Sequence, residues 1–75
     1  MIRARVEIGR DVQAAAETPE GVELVGRVRL LPGRPVEIVS RPFGAPLTRR
    51  ALVHSWRIVQ LGSGGPMYRG DCRWE

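Results

Sequence analysis

A chain of 75 residues and 8.3 kDa leaves room for one hydrophobic core, because a domain of this size buries only about 60% of the surface its unfolded chain exposes. Apolar residues at 43% and charged ones at 27% exclude intrinsic disorder; no apolar run reaches the roughly 20 residues that span a bilayer, and Met1-Ile2-Arg3-Ala4-Arg5 breaks up any signal-peptide core with charge. The net charge of +4 rests on twelve arginines with no lysine, and the lone Cys72 rules out an internal disulfide, so a single cytoplasmic domain over residues 1–75 with no membrane insertion is expected.

In chain order, Ile2, Ala4, Val6 and Ile8 alternate with Arg3, Arg5 and Glu7, the period of a strand with one dry face. Gly9-Arg10-Asp11 interrupts it. Val12 to Glu17, with its three consecutive alanines, reads as a loop that Thr18-Pro19-Glu20-Gly21 ends. From Val22 the alternation resumes through Leu24, Gly26, Val28 and Leu30. Gly26 leaves a gap on the apolar face, which marks a bend or a close backbone approach. Pro32-Gly33-Arg34-Pro35 has turn chemistry and Val36 to Val39 alternates again, so residues 22–39 are expected to pair as a hairpin.

Ser40 to Thr48 holds Pro42, Gly44 and Pro46 and is expected to be a surface loop pinned by Phe43. Between Ala51 and Leu61, Leu52, His54, Trp56 and Ile58 share one parity and Ala51, Val53, Val59 and Leu61 the other. A long strand with a bulge, covered on both sides or continued into a homodimer contact, accounts for apolar residues on both faces. Gly62 to Pro66 is a hairpin turn, and the closing strand sets Tyr68, Gly70, Cys72 and Trp74 against Met67, Arg69, Asp71 and Arg73. Short strands, Gly/Pro turns and little helix point to an all-β fold, a small antiparallel β-barrel whose closure removes exposed edges.

Catalytic chemistry finds little support. His54 and Cys72 stand on neighbouring strands, but Cys72 shares the apolar parity of Tyr68 and Trp74 and reads as core. One His and one Cys do not make a metal site, and Gly62-Ser63-Gly64-Gly65 leads into a strand, without the helix N-terminus that a phosphate loop needs. Arg69-Gly70-Asp71 spells an adhesion tripeptide by coincidence. The arginines carry two readings: guanidinium grips phosphate, and the chain is rich in Ala, Gly, Arg and Pro throughout. Arg27, Arg29, Arg69 and Arg73, with Arg49-Arg50 nearby, would form a basic patch if their wet faces adjoin, and with Tyr68 or Trp56 beside them would suit single-stranded nucleic acid.

Val28-Arg29-Leu30-Leu31-Pro32-Gly33-Arg34-Pro35-Val36-Glu37-Ile38, then Val53-His54-Ser55-Trp56-Arg57-Ile58-Val59, and the ending Tyr68-Arg69-Gly70-Asp71-Cys72-Arg73-Trp74-Glu75 resemble the later strands of a PilZ domain, over residues 22–75. The resemblance implies a six-stranded antiparallel barrel that binds cyclic di-GMP through an upstream RxxxR and a D/N-x-S-x-x-G strand motif. The nearest counterpart of the second is Asp11-Val12-Gln13, next to Arg10, with Gln13 in place of Ser and Ala16 in place of Gly. For the first, Arg3 and Arg5 are wrongly spaced, the ten residues before Asp11 are too few for the upstream arm and first strand, and Arg69 and Arg73 have the spacing on the closing strand. The expectation is a non-catalytic bacterial regulatory or adaptor domain of PilZ-like character, with no cofactor, cyclic di-GMP disfavoured, and action through a protein partner; the alternative is a small basic barrel for single-stranded nucleic acid.

Overall fold

The computed structural model describes residues 4–75; Ile2 and Arg3 of the first expected strand, and with them the Arg3–Arg5 spacing, lie outside the described residues. Six strands follow in order, β1 (Ala4–Glu7), β2 (Val12–Thr18), β3 (Gly21–Gly26), β4 (Pro35–Ser40), β5 (Leu47–Gly62) and β6 (Gly65–Trp74), with no helix among the described residues. They make one sheet in the order β1-β4-β5-β6-β3-β2. The long β5–β6 hairpin takes the centre, turning at Ser63-Gly64 between the paired Gly62 and Gly65, where Gly65 supplies a φ of 93°.

The all-β class stands, and three expectations are corrected. First, the sheet is mixed and not closed: β1 runs parallel to β4, and β1 and β2 are its two edges. Among the described residues these edges meet at one bridge, between Ile8 and Val12, across the turn Gly9-Arg10-Asp11. Gly9 N–H donates to Val12 O at 2.7 Å and Asp11 N–H to Glu7 O at 2.9 Å, so a tight local turn holds the corner where a continuous ladder would close a barrel.

Second, Val12–Thr18 is a strand, not a loop. It pairs with β3 from Val12–Gly26 to Thr18–Gly21, with a bulge between Ala14 and Ala16. Only Val12 of β2 is buried, so the strand has no apolar alternation to read. Its stability comes from β3 and from the Thr18-Pro19-Glu20-Gly21 turn, in which Gly21 N–H donates to Thr18 Oγ1 at 3.2 Å.

Third, residues 22–39 do not form a hairpin. β3 lies between β2 and β6 while β4 lies between β1 and β5. Both flanks of β3 are thus occupied, and residues 27–34 cross from one half of the sheet to the other, sinking Leu30 into the core on the way. β3 ends at Gly26, short of Leu30 to which its alternation runs, and the close approach expected at Gly26 is present: a side chain there would meet Asp11 O at 2.7 Å and Val12 Cγ1 at 2.8 Å.

The core gathers Val6, Val12, Val22, Leu24, Leu30, Val36, Ile38, Ala51, Val53 and Cys72 on the concave side, with Ile8, Val28, Trp56 and Trp74 packed against it. Each fully buried Val, Leu or Ile contributes about 1.5–3 kcal/mol of transfer free energy. Phe43, by contrast, is 94% exposed and pins nothing; the turn between Ser40 and Leu47 is tied to β1 by Arg41, whose Nε lies 3.5 Å from Glu7 Oε2, and β5 begins at Leu47, four residues before Ala51.

Two bulges explain the apolar residues of both parities in β5. The register slips between Val53 and Ser55 and again between Ile58 and Gln60. Each slip moves the side chains to the opposite parity. Ala51 and Val53, then Trp56 and Ile58, then Leu61 therefore share the concave face with Trp74, Cys72, Gly70, Tyr68 and Pro66 of β6, their partners across the ladder.

Candidate interaction surface

β4 leaves β5 at the Pro35–Leu52 pair and β3 leaves β6 at the Gly26–Tyr68 pair. Past these points the β5–β6 hairpin continues as a two-stranded arm. Its concave side has too few neighbours to cover it: Ile58 is 52% exposed and Leu61 76%, and Val59, extruded at the second bulge, is also exposed.

The base of the arm is fastened by the crossing segment. Trp56 lies across Gly70, where a Cβ would come within 2.6 Å of the indole Cε3. The ring stacks on Tyr68 at 6.4 Å between centroids and 16° between planes, and its N–H donates to Val28 O at 3.1 Å. Arg27 donates to Gly64 O at 2.6 Å and to Gly65 O at 3.1 Å, tying the tip of the arm to the end of β3. Between arm and crossing segment runs a groove of about 430 Å³ flanked by Arg29, Leu31, Trp56, Arg57, Ile58 and Tyr68. No Asp or Glu occurs between Glu37 and Asp71, so the arm carries positive charge alone.

The four arginines of the expected basic patch meet different partners. Arg27 is held by the arm's carbonyls, Arg69 by Glu23 at 2.8 Å, and Arg73 reaches His54 Nε2 at 3.3 Å. Only Arg29 lines the groove, and its companion is Arg57, which sequence reasoning missed because it stands in the run where the bulges scramble parity. Arg57 and Arg69 face one another across the ladder; Glu23 relieves that repulsion, and the Arg69 guanidinium in turn holds the Glu23 carboxyl below its ordinary pKa.

Arg10, Asp11 and Gln13 come together with Arg27 around a hollow of about 290 Å³, at the lower limit of the roughly 300–1,000 Å³ of small-molecule sites. The Asp11 carboxylate is already engaged: Arg10 donates to both of its oxygens, and Glu7 N–H donates to Oδ2 at 2.8 Å. These two partners, Arg10 first, hold its carboxyl below the ordinary range. Gln13 is exposed.

Cys72 and His54 are separated by the sheet. Cys72 is 1% exposed in the core, where burial, helped by the Asp71 charge, pushes its thiol up to about 11. His54 is exposed beside Arg73. Ser55 Oγ donates to Asp71 Oδ1 on the convex face, with no base beside the hydroxyl other than that carboxylate. Among the described residues no three His, Cys, Asp or Glu side chains are placed to hold a metal ion. A wider hollow of about 1030 Å³ at the opposite end, by the β2–β3 turn and the C-terminus, mixes Arg49 and Arg73 with Glu20, Glu23, Asp71 and Glu75. Arg49 there lies 3.7 Å from the Trp74 ring centroid, capping the ring with a cation.

No protein-family model matches the chain, and no curated protein or solved structure shows significant similarity to it.

Proposed function

We propose that the chain is a non-catalytic binding domain, a regulatory or adaptor module of the PilZ-like kind its later strands resemble, which acts through protein contacts on the β5–β6 arm. The observation that carries this reading is the arm's uncovered concave side, where Ile58 and Leu61 are exposed next to the half-buried Trp56 and Tyr68. A contiguous apolar surface rimmed by charge is costly in water and is repaid when a partner covers it. The open sheet and the separation of β3 from β4 give the PilZ resemblance no support from the fold, so the protein-contact reading rests on the arm.

Cyclic di-GMP fits poorly, since Asp11 is already satisfied by Arg10 and Glu7 in a small hollow. Single-stranded nucleic acid is the competing reading, favoured by Arg29 and Arg57 beside two rings. Against it, both rings are spent on internal packing, Trp56 on Gly70, Tyr68 and Val28.

The test is a photo-cross-linking amino acid placed at Leu61 in cells. Cross-links to a protein from Leu61, lost when Ile58→Glu is added and absent from a control position on β2 such as Ala15, support the reading. Absence of protein cross-links at Leu61, or saturable micromolar binding of cyclic di-GMP by calorimetry, refutes it.

A further inference from the structure

On the protein-contact reading, we propose that the free edge of β5 in the arm accepts an extended acidic segment of another protein as an added strand. Val53 is the last β5 residue bonded on that side: its N–H donates to Arg34 O at 3.0 Å and its carbonyl accepts from Gly33 N–H at 2.7 Å. From Ser55 to Gly62, β6 pairs one side of β5 and no described residue pairs the other. Ser55, Trp56, Arg57 and Ile58 keep a regular register between the two bulges, so their outward N–H and C=O groups stand ready for another backbone. No proline or lysine blunts this stretch.

The side chains say which strand would fit. The register puts Trp56 and Ile58 on the concave face, and Ser55 and Arg57 on the other. An added strand therefore sets every second side chain beside Ile58 and Leu31, which calls for apolar residues, and the alternate ones beside Arg57, which calls for carboxylates. The arm of a second copy of this chain is the wrong occupant. It would bring Arg57 and no acid, since residues 38–70 hold none, and like charges facing each other across strands are destabilising. Nucleic acid would leave the open backbone edge and the aliphatic Ile58, Leu61 and Leu31 without a partner.

The probe is a short synthetic peptide alternating valine and glutamate, titrated into the isotope-labelled full chain and followed by amide NMR. Shifts and slowed hydrogen exchange centred on Ser55 to Ile58, absent with a valine–lysine peptide, are expected. Arg57→Glu, an exposed position, should weaken the glutamate peptide about fivefold, the weight of one or two exposed ion pairs, and confer binding of the lysine peptide. Arg57→Gln gives the same loss should the charge reversal unfold the chain.

Equal response to both peptides, no response to the glutamate peptide, the same shifts with oligothymidylate, or self-association through the arm overturns the acidic-strand inference. If the glutamate peptide fails while Leu61 still cross-links to protein, the acidic strand falls and the protein-contact reading stands. If Leu61 does not cross-link, both fall.

Discussion

Replacing Gly70 by alanine adds one methyl group where the neighbouring strand's backbone leaves no room for it. That carbon would overlap the Ser55 carbonyl oxygen and sit 2.6 Å from Trp56 Cε3 and 2.7 Å from the Ser55 carbonyl carbon. Because the nearest obstacle is backbone at the first β5 bulge, a side-chain rotation cannot relieve it. Overpacking of this type costs about 1–3 kcal/mol. Pushing the indole off Gly70 also forfeits the stack on Tyr68, about 0.5–1.5 kcal/mol, and the hydrogen bond to Val28 O, about 1 kcal/mol. The sum, about 3–5 kcal/mol, is a large part of the roughly 4–11 kcal/mol available to a chain of this length. Urea unfolding followed by Trp fluorescence measures it; with a slope of about 1 kcal/mol per molar, the midpoint should fall by about 3–5 M, or the chain should be unfolded from the start. Near-ultraviolet circular dichroism should lose the Trp56 signal in parallel. Gly62→Ala is the control, since nothing lies within 4 Å of its added carbon, and it should be neutral or gain about 0.4–1 kcal/mol. A Gly70→Ala protein within about 0.5 kcal/mol of wild type, with Trp56 unmoved, would refute the packing of the arm's base.

The thiol of Cys72, raised to about 11 by burial from an ordinary value near 9, gives stability that is complete below pH 9 and lost as pH rises through 11, up to about 2–3 kcal/mol; Cys72→Ala should lack this alkaline slope in urea midpoints against pH, and native Cys72 should resist a thiol reagent until the chain unfolds. Asp11→Ala strips the acceptor from Glu7 N–H, so the unfolding midpoint should drop and the amide of Glu7 should exchange faster, with Asp11→Asn restoring most of the protection. The same carboxyl is held low by Arg10 and Glu7, so its contribution should be present above the ordinary carboxylate pKa and vanish as pH falls through the lowered value. Arg69→Gln should return the Glu23 carboxyl resonance to an ordinary titration midpoint in NMR, since Arg69 is the first cause of its depression.

Reading from sequence to fold succeeded where one physical signal dominated. The closing hairpin was legible because a glycine turn separates two long apolar strands, and Gly26 was legible as a close approach because a gap on an apolar face needs something to fill it. Both apolar parities in β5 pointed to a bulge, and the structure has two. β2 was missed because Ala14, Ala15 and Ala16 are exposed on an edge and carry no alternation. In the arm, spacing sets Ile58 and Leu61 on opposite parities, and the second bulge brings them to one face; the neighbours of Arg57 across the ladder likewise follow from the bulges and not from spacing.

By itself the sequence determined the strand periods, the hairpin at Gly62–Gly65, the inward face of Tyr68, Gly70, Cys72 and Trp74, and the all-arginine charge. These are local properties, written in alternation and turn chemistry between adjacent residues. Only the tertiary structure decided that β3 and β4 part company, that β1 joins the sheet in parallel, and that the edges meet at Ile8 and Val12 without closing. Strand order rests on which distant segments pair side by side, a competition that no local pattern records. The arm with its exposed Ile58 and Leu61 follows from the same competition, because β5 and β6 outlast both neighbours.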